Sequence, residues 1–224
     1  MSTVLITGAN RGIGLALARQ FQARGDRVIA AVRKESRELS ELATQQNVRV
    51  ENGVDVTSDE SVNALSARLV DEPIDVLVLN AGILRGDDLD GMKMSDVEAQ
   101  FAVNAMGPLR VVRALKPRLR RGAKIAAITS RMGSMADNGS GGYYGYRMSK
   151  AALNAMAVSL ARDLRVEGIS VAILHPGYVR TEMTGQSGNV TPEQSARQLV
   201  ERIDGLTTDK SGTFWHANGE VLPW

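Results

Sequence analysis

The chain has 224 residues, of which 43% are hydrophobic and 23% are charged, and its formal net charge is +2. This is the composition of an ordinary globular protein, and it excludes collagen-like and disordered chains. The lysines and arginines are spread along the sequence without a block, so neither a nucleic-acid footprint nor a polybasic membrane patch is indicated. The length suits one well-filled core, and we expect a single domain over residues 1–224.

The sequence contains no cysteine, which excludes disulfide bonds, zinc–thiolate sites and thiol nucleophiles. The absence of cysteine fits a protein of a reducing compartment. No apolar run approaches the ~18 residues of a membrane span, and the N-terminal MSTVLITGAN passes directly into a strand pattern. We therefore expect a cytoplasmic protein that does not insert into a membrane.

Short apolar runs recur along the chain and predict buried strands. They are VLIT at 4–7, VIAAV at 28–32, VRVENGV near 50, IDVLVLN at 74–80, KIAAIT at 124–129 and ISVAILH at 169–175, with a last strand in SGTFWHANGEVLPW. Stretches with helical spacing lie between them, such as Leu15 to Phe21, Val62 to Leu69 and Leu153 to Leu164. Alternating strands and helices predict an α/β fold with a doubly wound parallel sheet of the Rossmann type.

The first strand runs into TGANRGIG, which places Gly8, Gly12 and Gly14 at the turn into the first helix. Glycine there permits positive φ and lets a pyrophosphate approach the N–H groups of a helix N-terminus. The spacing is GxxxGxG and not the common GxGxxG, so the glycines alone are equally consistent with a simple tight turn. Their position, between the first strand and the first helix, favours a dinucleotide site.

The end of the second strand is where a dinucleotide fold meets the adenosine ribose. An acid there accepts the 2′-hydroxyl of NAD, whereas an arginine accommodates the 2′-phosphate of NADP. Here Arg33 and Lys34 stand at that place in AAVRKES, and Arg11 in the glycine loop is a further cation for the same phosphate. The pattern favours NADP(H) over NAD(H). The alternative is that Arg33 and Lys34 form a solvated strand end.

The stretch GGYYGYRMSK at 141–150 contains three tyrosines and a lysine. A tyrosine that exchanges a proton with a carbonyl or alcohol oxygen needs a phenol pKa drawn from about 10 toward neutrality. A cation four residues later on a helix lies on the same face and supplies the required field. Tyr146 has Lys150 at that spacing and Tyr143 has Arg147, so spacing alone leaves both tyrosines open.

Six motifs then appear in one order along the chain: TGANRGIG, NAG at 80–82, VNAMGP with Asn104, TSRMG with Ser130, YRMSK and HPGYVRT. Through them the chain resembles the short-chain dehydrogenase/reductase family over nearly its whole length. Within the family it is most similar to the C-factor-like carbonyl reductases, through GGYYGYRMSKAALN and the tail LPW. The resemblance implies that Tyr146 protonates the carbonyl oxygen while Lys150 lowers its pKa and binds the nicotinamide ribose. It also implies that Ser130 holds the substrate oxygen and that Asn104 binds a water linking Lys150 to solvent.

Together with the glycine loop and the strand end, the resemblance implies a set of cofactor contacts. They are Gly8, Asn10, Arg11, Gly12, Ile13, Gly14, Arg33, Asp55, Val56, Asn80, Ala81, Gly82, Tyr146, Lys150, Pro176, Gly177, Val179 and Thr181. Asp55 with Val56 is expected to close the third strand and Asn80–Gly82 the fourth, on the adenine side, and Thr181 is expected to hold the carboxamide end. No metal is required, because the cofactor brings the hydride. His175, which ends a strand, is interpreted as structural.

Two segments depart from the family pattern. A glycine-rich insert, ADNGSGG, lies between Ser130 and Tyr146, and MTGQSGNVT at 183–191 replaces a longer helical lid. A short polar lid offers little apolar surface to a large substrate, so we expect an open cleft for small or medium aldehydes and ketones.

The sequence thus predicts an NADPH-dependent carbonyl reductase acting on a small-molecule carbonyl or alcohol. Two alternatives stay open: a dinucleotide-binding signalling protein of the C-factor type, and an NAD-dependent alcohol dehydrogenase. Family members often pair the helices near 95–120 and 146–166, which predicts a homodimer or homotetramer. Core packing accounts equally well for the alanines of SKAALNAMAVSLA in the second helix.

Overall fold

A computed structural model describes residues 1–224 and contains one seven-stranded sheet. The strands are β1 (Thr3–Thr7), β2 (Arg27–Ala31), β3 (Val48–Glu51), β4 (Ile74–Leu79), β5 (Leu119–Ile128), β6 (Ser170–His175) and β7 (Phe214–His216). All pairings are parallel, and the order across the sheet is β3-β2-β1-β4-β5-β6-β7. The chain therefore winds to one side of β1 and then, from β4, to the other. This confirms the predicted doubly wound sheet of the Rossmann type.

Seven α-helices connect the strands. They are α1 (Gly12–Ala23), α2 (Arg37–Leu42), α3 (Asp59–Arg68), α4 (Met94–Phe101), α5 (Gly107–Leu115), α6 (Tyr144–Asp163) and α7 (Pro192–Asp204). A π-helix, Ala102–Met106, joins α4 to α5, so the helix expected near 95–120 is interrupted and ends at Leu115. None of these helices is both long and apolar enough to span a membrane.

Successive residues of each strand face two separate cores, one on either side of the sheet. In β1, Leu5 belongs to the core under α3, α5 and α6, whereas Val4 and Ile6 belong to the core under α1 and α7. All three side chains are fully buried. Because both faces of the sheet are covered, its strands read as continuous apolar runs instead of alternating polar and apolar residues.

The helix N-termini differ in how their first N–H groups are satisfied. At α7 a capping box precedes Pro192: Thr191 Oγ1 accepts from the N–H of Gln194 at 3.2 Å, and Gln194 Oε1 accepts from the N–H of Thr191 at 3.0 Å. By contrast, α1 begins after Arg11 with no side-chain cap and no acid in its first turn. Its first N–H groups are left for another acceptor.

The carboxyl ends of the strands form the edge at which a doubly wound sheet binds ligands. At that edge β3 ends at Glu51, so Asp55 and Val56 do not close the third strand as expected. They lie in the turn that leads to α3, because Gly53 has a φ of 75° and turns the chain out of the sheet. Similarly, β4 ends at Leu79, and the NAG sequence is the first part of the loop.

Candidate active site

The predicted site residues all lie along this carboxyl edge. The glycine loop follows β1, Arg33 follows β2, Asp55 and Val56 follow β3, and Asn80 to Gly82 follow β4. Ser130 lies two residues after the end of β5, and the segment from Pro176 to Thr181 follows β6. The π-helix supplies Asn104, and the first two turns of α6 supply Tyr146 and Lys150.

Two glycines of the glycine loop, Gly8 and Gly14, have no room for a side chain. Gly8 has a φ of 68°, and its N–H donates to the carbonyl oxygen of Ala31 at 2.8 Å. A Cβ atom added to Gly8 would lie 2.9 Å from the Cα atom of Ala81, and one added to Gly14 would lie 2.3 Å from the carbonyl oxygen of Gly8. Only glycine fits at both positions, and the backbone at the start of α1 is left open to a ligand.

Asn80 supports the glycine loop through hydrogen bonds. Its Nδ2 donates to the carbonyl oxygens of Thr7 and Gly8 at 3.0 and 3.1 Å, and its backbone N–H donates to Thr7 Oγ1 at 3.0 Å. Thr7 Oγ1 also accepts from the N–H of Ala81 at 3.1 Å. The amide of Asn80 therefore shapes the loop, and Thr7, the first residue of the TGANRGIG motif, shares that task.

The end of β2 presents cations. Arg33 and Lys34 are exposed, and neither forms an ion pair. Asp55 lies near Arg33. Hydrogen bonds from the backbone N–H and the hydroxyl of Thr57 lower the pKa of Asp55, and the charge of Arg33 acts in the same direction. The Asp55 carboxylate is therefore ionised and can accept a hydrogen bond from an amino group.

Ser130, Tyr146 and Lys150 come together between β5 and α6. All three are buried, with exposed fractions of 8%, 7% and 5%. Lys150 Nζ donates to the carbonyl oxygen of Ile128 at 2.9 Å and lies 5.7 Å from the centre of the Tyr146 ring. Ser130 Oγ accepts from the N–H of Met132 at 3.1 Å, which leaves the hydroxyl proton of Ser130 free to be donated.

Burial controls the ionisation of Tyr146 and Lys150. It raises the pKa of Tyr146 to about 12, against an opposite contribution from the Ser130 hydroxyl, and it lowers the pKa of Lys150 to about 8. The shift at Tyr146 is opposite in direction to the one expected from the sequence. The Lys150 ammonium is bonded to the carbonyl oxygen of Ile128, and desolvation of the phenolate outweighs the other effects on Tyr146. Tyr146 is therefore a neutral, protonated phenol.

Tyr143, the other tyrosine that spacing had left open, lies outside α6. It adopts a left-handed conformation with a φ of 53° at the N-cap and is 42% exposed. Arg147 is bonded to the glycine-rich insert: its Nε donates to the carbonyl oxygen of Gly142 at 3.1 Å, and its Nη2 donates to Ser140 Oγ at 2.9 Å. The pairing of Tyr143 with Arg147 on one helix face is absent, and the geometry favours Tyr146.

Two glycines let α6 approach the neighbouring elements closely. A Cβ atom on Gly133 would lie 2.8 Å from the carbonyl carbon of Lys150. One on Gly145 would lie 2.5 Å from Nε2 of Gln100, which is fully buried in α4. A larger residue at Gly133 would push α6 away from the end of β5, and one at Gly145 would push it away from α4, in both cases with the side chain of Tyr146.

Asp87 caps α6 from a different loop. Its carboxylate accepts from the backbone N–H of Tyr144 and, at 3.1 Å, from that of Gly145. Its carbonyl oxygen accepts from the N–H of Tyr143 at 2.9 Å. The negative charge also matches the positive end of the helix dipole. The start of α6 is thus held by a residue that no sequence motif had indicated.

Asn104 is fully buried in the π-helix. Its Nδ2 donates to the carbonyl oxygen of Ile83 and to Ser149 Oγ at 2.9 and 3.0 Å, and its Oδ1 accepts from the N–H of Ile83 at 2.8 Å. A Cβ atom on Gly82 would lie 3.3 Å from Asn104 Oδ1 and 3.8 Å from Lys150 Nζ. One atom placed at that point therefore contacts both groups.

The short lid predicted at 183–191 belongs to a compact loop over residues 178–191, which we call the lid. The Tyr178 hydroxyl shares a hydrogen bond with Ser187 Oγ at 2.7 Å, and Arg180 Nε donates to the carbonyl oxygen of Gly188 at 2.9 Å. These internal bonds brace the loop without a helix of the usual lid length. The segment is short and polar, as the sequence predicts.

The two histidines of the chain meet beside this site. Their ring centres are 4.9 Å apart, and the ring of His175 meets that of His216 edge to face. Burial lowers the pKa of His175 to about 3, and the charges of His216, Arg131 and Lys150 act in the same direction. His175 is therefore neutral, and its Nδ1 has no hydrogen-bond partner. This geometry supports the structural interpretation of His175.

Comparison with known proteins identifies the family. The family model for short chain dehydrogenases matches residues 2–203, and the chain belongs to that family. This confirms the resemblance drawn from the motifs.

Two relatives share 43% sequence identity with the chain. One is 1-hydroxy-2-glutathionyl-2-methyl-3-butene dehydrogenase of Rhodococcus sp. (strain AD45), aligned over 230 positions that cover 100% of both chains. The other is C-signal of Myxococcus xanthus, aligned over 166 positions that cover 73% of this chain and 100% of that protein. A solved structure, the NADPH-bound carbonyl reductase from chicken fatty liver, has a TM-score of 0.93 and 31% identity, covering 100% of this chain and 99% of the other.

We expect the burial of His175 to make the folded state sensitive to acid. The unfolded chain protonates His175 below its ordinary pKa of 6.5, whereas the folded chain does so only near about 3. Stability is therefore lost as the pH falls through this window, by about 2 kcal/mol between pH 7 and pH 5. In His175→Gln this part of the pH dependence should disappear from the free energy of unfolding, measured by urea denaturation at both pH values.

The control is His216→Gln, since burial also lowers the pKa of His216 but that ring is less buried. It should keep most of the wild-type pH dependence. If His175→Gln loses as much stability as the wild type between the two pH values, the neutral, buried state of His175 is wrong.

Proposed function

We propose that the protein is an NADP(H)-dependent oxidoreductase that reduces a small or medium carbonyl compound to an alcohol. The single observation that carries the proposal is the buried group of Ser130, Tyr146 and Lys150 beside an uncapped, glycine-lined helix start. Membership of the short chain dehydrogenase family supports it. The NADPH-bound carbonyl reductase from chicken fatty liver, with its similar fold, supports the choice of cofactor and reaction.

The residues at the carboxyl edge fit a dinucleotide. The N-terminus of α1 lacks a cap and an acid, which suits a pyrophosphate, and Gly8 and Gly14 keep the backbone clear of side chains. The ionised Asp55 suits the adenine amino group. When bound, the cofactor supplies the hydride, and the protein positions it and handles one proton.

The choice of NADP(H) rests on the end of β2. Arg33 and Lys34 are exposed there without acidic partners, so their charges are available to a 2′-phosphate. A charge-assisted hydrogen bond to phosphate is stronger than one between neutral groups. At the position after β2 where an NAD site has a carboxylate, this chain has Arg33 followed by Lys34.

Ser130 is placed to polarise the carbonyl group. Because Ser130 Oγ already accepts the N–H of Met132, its hydroxyl proton is available to a substrate oxygen. A carbonyl oxygen held by Ser130 and Tyr146 would receive two hydrogen bonds as negative charge develops on it. That stabilisation acts where the reaction builds charge.

The order of acidities favours proton transfer toward the substrate. Hydride addition turns the carbonyl oxygen into an alkoxide, which is a stronger base than a phenolate. Tyr146, with a pKa of about 12, is protonated and can donate to it. Lys150, with a pKa of about 8, is the stronger acid of the two and can return a proton to Tyr146 through a bridging hydroxyl group or water. Each transfer thus runs from the stronger acid to the stronger base.

Asn104 and Gly82 complete this relay. The Nδ2 protons of Asn104 are both used, but its Oδ1 borders the point beside Gly82 that also contacts Lys150 Nζ. A water beside Gly82, within hydrogen-bond reach of both groups, would accept from Lys150 Nζ and donate to Asn104 Oδ1. Gly82 is the residue that leaves room for it.

A second candidate is oxidation of an alcohol, favoured by the 43% identity to the Rhodococcus dehydrogenase. In oxidation the same Tyr146 would accept the proton of the alcohol, so the site can serve either direction. We place reduction first because of the similarity to the NADPH-bound carbonyl reductase. The similarity to C-signal keeps a signalling protein as a third candidate, although a pure binder has no need for the buried catalytic set. The cytoplasmic location and the homodimer or homotetramer stay predictions.

The first test is consumption of NADPH and, separately, NADH against a panel of aldehydes, ketones and quinones. We expect oxidation of NADPH, and Tyr146→Phe should lower kcat by about 100-fold or more, because it removes the general acid but keeps the ring. Production of NADPH or NADH from a glutathionyl alcohol tests the second candidate. Tight NADPH binding with no turnover of either kind would contradict the reductase and favour the signalling protein.

Cofactor choice is tested at the end of β2. Replacing one phosphate-binding cation by an acid, in Arg33→Asp, should raise the Kd of NADPH by about 10- to 100-fold and change that of NADH much less. The Kd values are measured by fluorescence titration. As a control, Arg37→Asp introduces the same charge change in the first turn of α2. Equal effects of Arg33→Asp on both cofactors would overturn the assignment of NADP(H).

The relay is tested with Gly82→Ala. The added methyl group occupies the point between Asn104 Oδ1 and Lys150 Nζ, so kcat for carbonyl reduction should fall by about 10-fold or more. Gly86→Ala is the matched control on the same loop, where a Cβ atom meets Tyr143 at an ordinary 3.5 Å. NADPH Kd is measured in parallel. If kcat is unchanged, or if only the Kd of NADPH changes, the proposed relay water beside Gly82 is wrong.

A further inference from the structure

Arg11 lies in the glycine loop between two residues that contact different parts of the protein. On one side, the carbonyl oxygen of Asn10 accepts from Ser36 Oγ at 2.6 Å, which ties the loop to the segment that follows β2. On the other side, a Cβ atom on Gly12 would lie 3.3 Å from Cγ2 of Thr181 in the lid. The residue between Asn10 and Gly12 therefore borders both the end of β2 and the lid.

In the structure Arg11 is turned to the lid. Its Nη1 is bonded to the carboxylate of Glu182, the first residue of the 3-10 turn Glu182–Thr184. No other ion pair involves Arg11, and the first turn of α1 contributes no acid. Glu182 is thus the single counter-ion of this arginine. The pair links the lid to the glycine loop.

This ion pair is easily exchanged. Both side chains are 66% exposed, and an exposed pair of this kind contributes little net stability. A phosphate carries more negative charge than one carboxylate and offers more acceptor oxygens. A 2′-phosphate near Arg33 would compete well for the Arg11 guanidinium.

We infer that Glu182 is a cofactor-specificity residue. Its carboxylate forms an ion pair with the Arg11 guanidinium, and this pair has to break when the 2′-phosphate of NADP(H) binds to Arg11. The inference rests on the proposed function. NADH has no 2′-phosphate, so it does not compete with the Glu182 carboxylate for Arg11 and leaves the ion pair intact. Glu182 therefore lowers the affinity for NADP(H) and does not change the affinity for NADH.

The experiment measures Kd for NADPH and NADH in the full chain, as wild type, Glu182→Gln, Arg11→Gln and the double variant. Glu182→Gln should lower the Kd of NADPH by about two- to fivefold, the range expected for an exposed ion pair. The Kd of NADH should stay within the error of the measurement. In the Arg11→Gln background the Glu182→Gln change should leave the Kd of NADPH unchanged, because the guanidinium for which Glu182 and the phosphate compete is absent.

Adenosine 2′,5′-bisphosphate serves as a second probe. It lacks the nicotinamide half, so a tighter Kd in Glu182→Gln cannot arise from contacts of the lid with the carboxamide end. The matched control is Glu193→Gln, which removes one exposed negative charge from a residue without an ion pair. It should leave both Kd values unchanged.

Each outcome decides the point. Equal tightening of NADPH and NADH in Glu182→Gln would indicate a general charge effect and overturn the inference. Weaker binding of both cofactors would show that the pair clamps the cofactor, which also overturns it. The wild-type Kd values test the proposed function separately, since a preference for NADH there contradicts NADP(H) use whatever Glu182 does.

Discussion

The site depends on the close packing of α6 against the end of β5. At Gly133 the helix backbone at Lys150 comes so near that a single Cβ atom would overlap it, and at Gly145 the same is true of the buried amide of Gln100. This approach places a lysine and a tyrosine of one helix face beside Ser130, in a buried region. A larger residue at either glycine would open the site and change its electrostatics together with its geometry.

Burial then determines what these groups can do. The same desolvation that lowers the pKa of Lys150 raises that of Tyr146, because one is neutral when deprotonated and the other when protonated. Tyr146 therefore keeps its proton, and Lys150 is the stronger acid of the two, which is the order that the proposed proton relay uses.

Features that depend on neighbouring residues could be predicted from the sequence, and features that depend on distant contacts could not. The seven strands and the glycine turn follow from apolar runs and from the conformational freedom of Gly8. By contrast, the cap of α6 by Asp87 and the ion pair of Arg11 with Glu182 join segments far apart in the chain. Neither pair has a spacing that a linear pattern can reveal. The direction of the Tyr146 pKa shift likewise required its burial to be known.

The motif asparagines show why a motif does not specify a role. Asn80 and Asn104 were both expected at the cofactor or its proton path, yet their amides bond mainly to backbone, Asn80 to the glycine loop and Asn104 to Ile83. An amide suits this because it donates and accepts at once, and so fixes a loop that has no regular partner strand. The loops that these two asparagines hold carry Gly8 and Gly82, where a cofactor and a water would lie. Part of their contribution to function is therefore to keep those positions open and in place, beside the contacts with the cofactor and the relay water that we predict for them.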